Sequence, residues 1–174
     1  WGVDRTALEL ASIEILNGDG MRFTDVFEID TLKIPSTFYD ERIDSTPIQI
    51  KSIGTAVFKS CRYSPVHIKN LEISKEIKSL KKRAFERDYA KIDNIIIPEG
   101  ITAIPHSCFV YNVSLNSIHL PSTLKRVSPY AFFNTPNLSE VIIPEKCYKI
   151  DINAFYGSGI KKISLSDNIK TIGK

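Results

Sequence analysis

The sequence predicts a β-rich solenoid, and three regularities predict it. Pro98, Pro121 and Pro144 fall 23 residues apart, and Phe109, Phe132 and Phe155 repeat at the same interval. Ahead of each proline stands the pattern apolar-x-x-apolar-x-apolar, as Ile92, Ile95, Ile97, then Leu115, Ile118, Leu120, then Leu138, Val141, Ile143. A repeat of about 20 to 50 residues marks an array whose units cannot bury a core alone and do so by stacking.

In chain order, residues 1–22 hold Leu8, Leu10, Ile13 and Ile15, fit the frame only with a slip, and read as an irregular cap; residues 23–174 read as the solenoid. The first clear strand is Ile29, Leu32, Ile34, closed by Pro35. The stretch 36–47, with Tyr39, Asp40, Glu41, Arg42 and Asp44, is an insertion expected to form a surface loop, either a binding loop or tolerated length variation. The return path resumes at Ile50, reaches Val57-Phe58, and passes through a longer turn with Pro65 and His67. The frame continues at Ile68, Leu71, Ile73, Ser74, runs through the three proline-closed turns, and repeats at Ile160, Ile163, Leu165, Ser166. It stops at Lys174, where an Ala-Phe pair is due, so a longer parent chain is expected.

Each feature of the unit has a physical reading. Apolar residues two apart put both side chains on one face and the middle one on the other, which is a half-buried strand. Proline has no N–H and restricts its predecessor, so it closes the strand. Apolar residues follow the Pro slot at +3 and +6, as in Ile101 and Ile104 or Leu124 and Val127, and a Phe comes five later behind a small residue: Ala84, Cys108, Ala131, Ala154. These would fill a narrow interior from the return side. Composition agrees, with 26 Ile against 11 Leu favouring strands over helices. At 174 residues, 43% hydrophobic and 25% charged, the chain can bury a core. Its net charge of +3 names no nucleic-acid or membrane partner, and no apolar run approaches the roughly 18 residues of a membrane span.

The I-x-I-P, I-x-x-I and Ala-Phe spacing resembles the BspA-type leucine-rich repeat of microbial surface proteins. The resemblance covers about residues 23–174, with Ile53-Gly54 and Ile172-Gly173 matching the family's Ile-Gly and Cys61 matching its Cys three residues after Phe. The other turns carry Asp88, Asn112, Thr135 and Ser158 at that slot, small polar groups able to hydrogen-bond the turning backbone. The resemblance implies a right-handed leucine-rich-repeat solenoid of about six to seven turns with one short parallel strand per turn. It further implies a secreted or cell-surface recognition module that adheres to host or matrix protein or glycan; the residues themselves, with no oxyanion loop and no Gly-rich phosphate loop, lead us to expect no enzymatic activity and no cofactor.

Chemistry-bearing residues fit the repeat better than a reaction. Cys61, Cys108 and Cys147 occupy three different repeat slots with no C-x-x-C spacing, which reads as structural free thiols rather than a zinc or disulfide framework. His67, His106 and His119 lie in different columns, so no metal set is expected. Cys108 with His106 is the one nucleophile–base pair to consider, and the frame points Cys108 inward.

Three surfaces remain. Stacking aligns the outward residue of each strand into one candidate partner-binding column: Lys33, Glu72, Ile96, His119, Ile142 and Ser164. Its two exposed Ile around a His read either as a binding strip or as plain β-propensity. The run Lys75, Lys78, Lys81, Lys82, Arg83 and Arg87 is a candidate basic patch, or a solvated return face. Tyr111, Phe133 and Tyr156 follow the Phe column and form either an aromatic ridge or a cover for the core edge. Other readings are a spacer or assembly domain of a larger surface or virion protein, with end-to-end self-association, and an intracellular scaffold holding acidic partners through the basic run.

Overall fold

The structure is a computed structural model that describes residues 27–40, 44–58, 66–87 and 90–174. The expected cap at 1–22, the outer Phe23 and Cys61 lie outside them. The described residues form strands β1 (Phe27–Ile34), β2 (Thr37–Asp40), β3 (Asp44–Gln49), β4 (Ser52–Ile53), β5 (Val66–Ile73), β6 (Ser79–Leu80) and β7 (Ala90–Ile96). They continue with β8 (Ala103–Ile104), β9 (Ser117–His119), β10 (Arg126–Val127), β11 (Glu140–Ile142), β12 (Lys149–Ile150), β13 (Lys162–Ser164) and β14 (Thr171–Ile172), and none is helical.

The strands stack in two rows. The first holds a parallel sheet β1-β5-β7-β9 and a parallel pair β11-β13; the second holds β4-β6 and β8-β10-β12-β14, also parallel. This is a parallel β-solenoid of about five turns. All six strands expected from the repeat are present in the first row, and six in each row bound about five full turns; the further outer member expected at Phe23 is not among the described residues. Each turn carries two short strands rather than the expected one. The second arises because the +5 and +6 residues pair in register with their equivalents in the next turn, as Ser52 with Ser79 and Arg126 with Lys149.

The insertion is another difference. Within 36–47 the chain begins an antiparallel hairpin instead of an irregular loop, with β2 pairing β3 through Thr37–Gln49, Phe38–Ile48 and Asp40–Asp44. A strand that meets no neighbouring turn can still satisfy its backbone groups by folding on itself.

Proline acts as the sequence suggests. In the slot held by Ser74 the backbone N–H is present and donates to the Ile34 carbonyl one turn back at 3.0 Å, a bond that Pro98, Pro121 and Pro144 cannot make. Inside the rows the core runs as one cluster containing Ile68, Leu71, Ile92, Ile95, Ile118, Val141 and the +3 and +6 residues from Ile77 to Ile150, whereas Ile163, Leu165 and Ile172 of the last turn, expected inward, are exposed because no described turn covers them. The Phe column forms its far wall. Rings of Phe85, Phe109, Phe132 and Phe155 stack at centroid spacings of 5.3, 5.2 and 5.1 Å, with Phe58 tilted on Phe85 at 6.2 Å. In the three turns where the polar slot after the Phe is described it closes the corner: Asn112 donates to the Phe85 carbonyl, Thr135 to that of Phe132 at 2.9 Å, and Ser158 to that of Phe155 at 2.6 Å.

Candidate functional site

The first row places the outward column. Register pairs Lys33 with Glu72, Glu72 with Ile96, Ile96 with His119, and Ile142 with Ser164. Because alternate residues of a strand face opposite ways, the partners at these positions share one face. Lys33 and Glu72 join in an ion pair at 3.2 Å. Ile96 is 51% and Ile142 64% exposed, which is unusual for the largest aliphatic side chain in a chain whose other strand Ile are mostly buried.

The column has a break. β9 and β11 follow each other in the stack yet belong to separate sheets. Between them opens a cleft of about 730 Å3 lined in part by His119, Ile142, Glu99, Ser122, Glu140 and Glu145. Two of the six column residues therefore sit at its mouth. Glu99 is fixed there by Ser122, whose backbone N–H and hydroxyl donate to its two carboxylate oxygens at 2.8 and 3.0 Å; these bonds favour the charged form and hold its carboxyl below the usual range. Glu140 is held by Lys162 at 2.8 Å.

The basic run divides among three places. Lys78, Lys81, Lys82 and Arg83 flank β6 on the second row, Lys75 sits at the corner before it, and Arg87 lies past the Phe column with its guanidinium carbon 6.0 Å from the Tyr111 ring centre. All six are exposed. The aromatic ridge also assembles: Tyr111 meets Phe133 edge-on at 5.7 Å, and Phe133 stacks on Tyr156 at 5.3 Å. Tyr130 joins Phe133 and His106 to it. Phe133, between Tyr111 and Tyr156, is half-buried, while those two tyrosines are exposed.

The Cys108 and His106 pair is not assembled for nucleophilic chemistry. Cys108 is fully buried and burial pushes its thiol far above the ordinary range, whereas His106 is exposed with Nδ1 at 2.8 Å from the Ser107 hydroxyl. His67 lies in another column, 2.9 Å from Asp93. Among the described residues no group of three or more His, Cys, Asp or Glu is placed to hold a metal ion, and no helix is long and apolar enough to cross a membrane.

A family model for the BspA type leucine-rich repeat region matches six copies over residues 33–158. The chain belongs to this family. A leucine-rich repeat protein from Bacteroides ovatus has a similar structure, 25% identical, covering 83% of this chain and 36% of that one with a TM-score of 0.65. The pneumococcal vaccine antigen PcpA is 16% identical over 80% of this chain and 41% of its own, with a TM-score of 0.61. A leucine-rich cell surface protein from Faecalibacterium prausnitzii is 22% identical over 80% of this chain and 48% of its own, with a TM-score of 0.48. The BspA-type chain thus spans between about a third and a half of these proteins' lengths. Comparison with curated proteins finds no match.

Proposed function

We propose that this BspA-type array is a non-enzymatic recognition segment of a secreted or cell-surface microbial protein, adhering to a host or matrix protein through its first-row face. Family membership supports the repeat module. The observation that carries the binding face is the exposure of Ile96 and Ile142 on either side of His119, beside the cleft where the first-row ladder parts. Apolar anchors around a partly polar cleft are what a protein partner buries, and a rigid array holds them without an ordering cost on binding.

The test is binding of the purified chain to a panel of extracellular-matrix proteins and intact cells at physiological salt. It is run beside an Ile96→Ser, Ile142→Ser variant with unchanged circular dichroism. Ser already occupies this column at 164 and is compatible with the strand. Saturable binding that the variant loses supports the reading; equal binding by both removes the first-row face from it.

A further inference from the structure

Charge on this molecule is segregated by the fold. The six return segments, 51–56, 78–83, 102–107, 125–130, 148–153 and 170–174, contain ten Lys and Arg against a single acid, Asp151, a net of +9. The whole chain carries +3, so everything outside these segments carries −6. The linear run at 75–91 holds only part of this charge; stacking supplies the rest by bringing in lysines from distant turns.

The stacking is direct. Lys78 N–H donates to the Lys51 carbonyl at 3.0 Å, Lys125 to Thr102 at 2.8 Å, Tyr148 to Lys125 at 3.0 Å, and Lys170 to Tyr148 at 2.9 Å. Lys78 and Thr102 each stand immediately before a second-row strand, β6 and β8. One exposed column results: Lys51, Lys78, Thr102, Lys125, Tyr148, Lys170. At about 4.8 Å per turn its cations recur every one or two turns, within about one Debye length at physiological salt, so their fields add. The next column places Arg126 beside Lys149, both on Asp151 at 2.9 and 2.8 Å, so that the lone acid is already engaged. Lys78 Nζ also donates to the Lys75 carbonyl at 2.5 Å, which orients the ammonium without neutralising it.

We propose that this second-row face binds a linear sulfated polysaccharide laid along the solenoid axis. Charge complementarity calls for a polyanion, and a row of cations across turns fits an extended one. Eight of the ten cations are Lys, compact charges suited to separate sulfate groups, while both Arg, the residue suited to bidentate phosphate, are partnered by Glu86 and Asp151. Hydroxyls of Thr102, Tyr148 and Thr171 stand among the lysines as partners for sugar hydroxyls. A single-stranded nucleic acid would want a row of open aromatic faces, and Tyr148 is the one exposed ring in the column. The preference for a polysaccharide over nucleic acid rests on the surface-protein reading; the face itself is independent of Ile96 and Ile142.

The experiment measures binding of the whole chain to immobilised heparin at about 0.15 M salt. Desulfated heparin, single-stranded DNA and poly-glutamate of matched length serve as competitors. A Lys78→Thr, Lys82→Thr, Lys125→Thr variant, which extends to other turns the Thr that the fold already accepts at 102 and, in the Lys82 register, at 55, is compared after its circular dichroism and urea midpoint are matched to the parent. Expected are saturable heparin binding, weakening steeply with salt, a loss of about tenfold or more in the triple variant, and competition by heparin alone. The Ile96→Ser, Ile142→Ser chain should retain heparin binding, so failure of the first-row reading leaves this result standing, and the reverse. Absence of heparin binding, or equal affinity in the folded triple variant, overturns the proposal. So does DNA or poly-glutamate competing as well as heparin, in favour of a nucleic acid or an acidic protein.

Discussion

The side-chain amide of Asn112 donates to the backbone carbonyl of Phe85, one turn back in the array, and both residues are buried. At the equivalent corners the Phe109 and Phe155 carbonyls accept from the main-chain N–H three residues on, so this side chain adds a bond from the next turn. Asn112→Ala removes this bond between turns and is expected to cost about 0.5 to 1.5 kcal/mol, read from the urea midpoint. An unchanged midpoint would mean that water enters the corner and replaces the amide.

Cys108 takes the slot that Ala84, Ala131 and Ala154 hold in other turns, so Cys108→Ala should cost less than about 1.5 kcal/mol. Burial raises its thiol pKa in the folded state. A raised folded pKa means that the unfolded chain releases this proton first. Its contribution is fully present below the unfolded thiol value of about 8.5 and declines as pH rises above it. Urea melts from pH 7 to 10 should fall less steeply for Cys108→Ala than for the parent, and the native thiol should resist alkylation at pH 8. Rapid native labelling of Cys108 would contradict its placement.

Arg83 adopts φ 57°, in the left-handed region, at the same repeat position as Ala56 at 52°, Ser107 at 55° and Tyr130 at 57°. That conformation costs an L-residue about 1 to 2 kcal/mol and costs Gly none, while Gly loses about 0.5 to 1 kcal/mol of unfolded-chain entropy advantage. The Arg83 to Glu86 pair is long at 3.6 Å, with an exposed guanidinium, and offsets little. Arg83→Gly should therefore raise stability slightly, by up to about 1 kcal/mol, in thermal or urea melts. A clear loss would show that the Arg stem packs on the corner.

Gly159 allows two turns to touch. A Cβ there would stand 1.8 Å from the Pro136 carbonyl oxygen, which is backbone and cannot swing aside. Gly159→Ala should destabilise by about 1 to 3 kcal/mol or detach the last turn, visible as amide-exchange protection lost selectively from 160–174.

The first row and the Phe column are legible in the sequence because each rests on apolar side chains at fixed spacing, as in Ile95 and Ile97 or Phe109 and Phe132. The second strand of each turn is not, since a two-residue bridge such as Ser79–Leu80 carries no alternation beyond the core slot itself. The hairpin in the insertion escapes for a similar reason: its described pairs, Phe38 with Ile48 and Asp40 with Asp44, share no apolar period. For the candidate surfaces, the column from Lys33 to Ser164 follows from the repeat alone, and the register reproduces its adjacencies on either side of the break between β9 and β11. That break has no signature in residue type. The second-row cations are each visible, yet Lys51, Lys125 and Lys170 become neighbours of the 78–83 run only through stacking, so a reading along the chain sees a run of charge where the fold has a face.

The bonds between turns have a mechanical consequence. Lys78 to Lys51, Ser128 to Ile104 and Gly173 to Ile150 all point from one turn to the next, along the direction in which the array grows. Tension applied across the two ends is carried in line with these bonds and is borne equally by every turn boundary, of which the weakest yields first, since each turn touches only its neighbours. Such an array releases length in steps, one turn per rupture, and dissipates a sudden pull instead of resisting it until everything fails together.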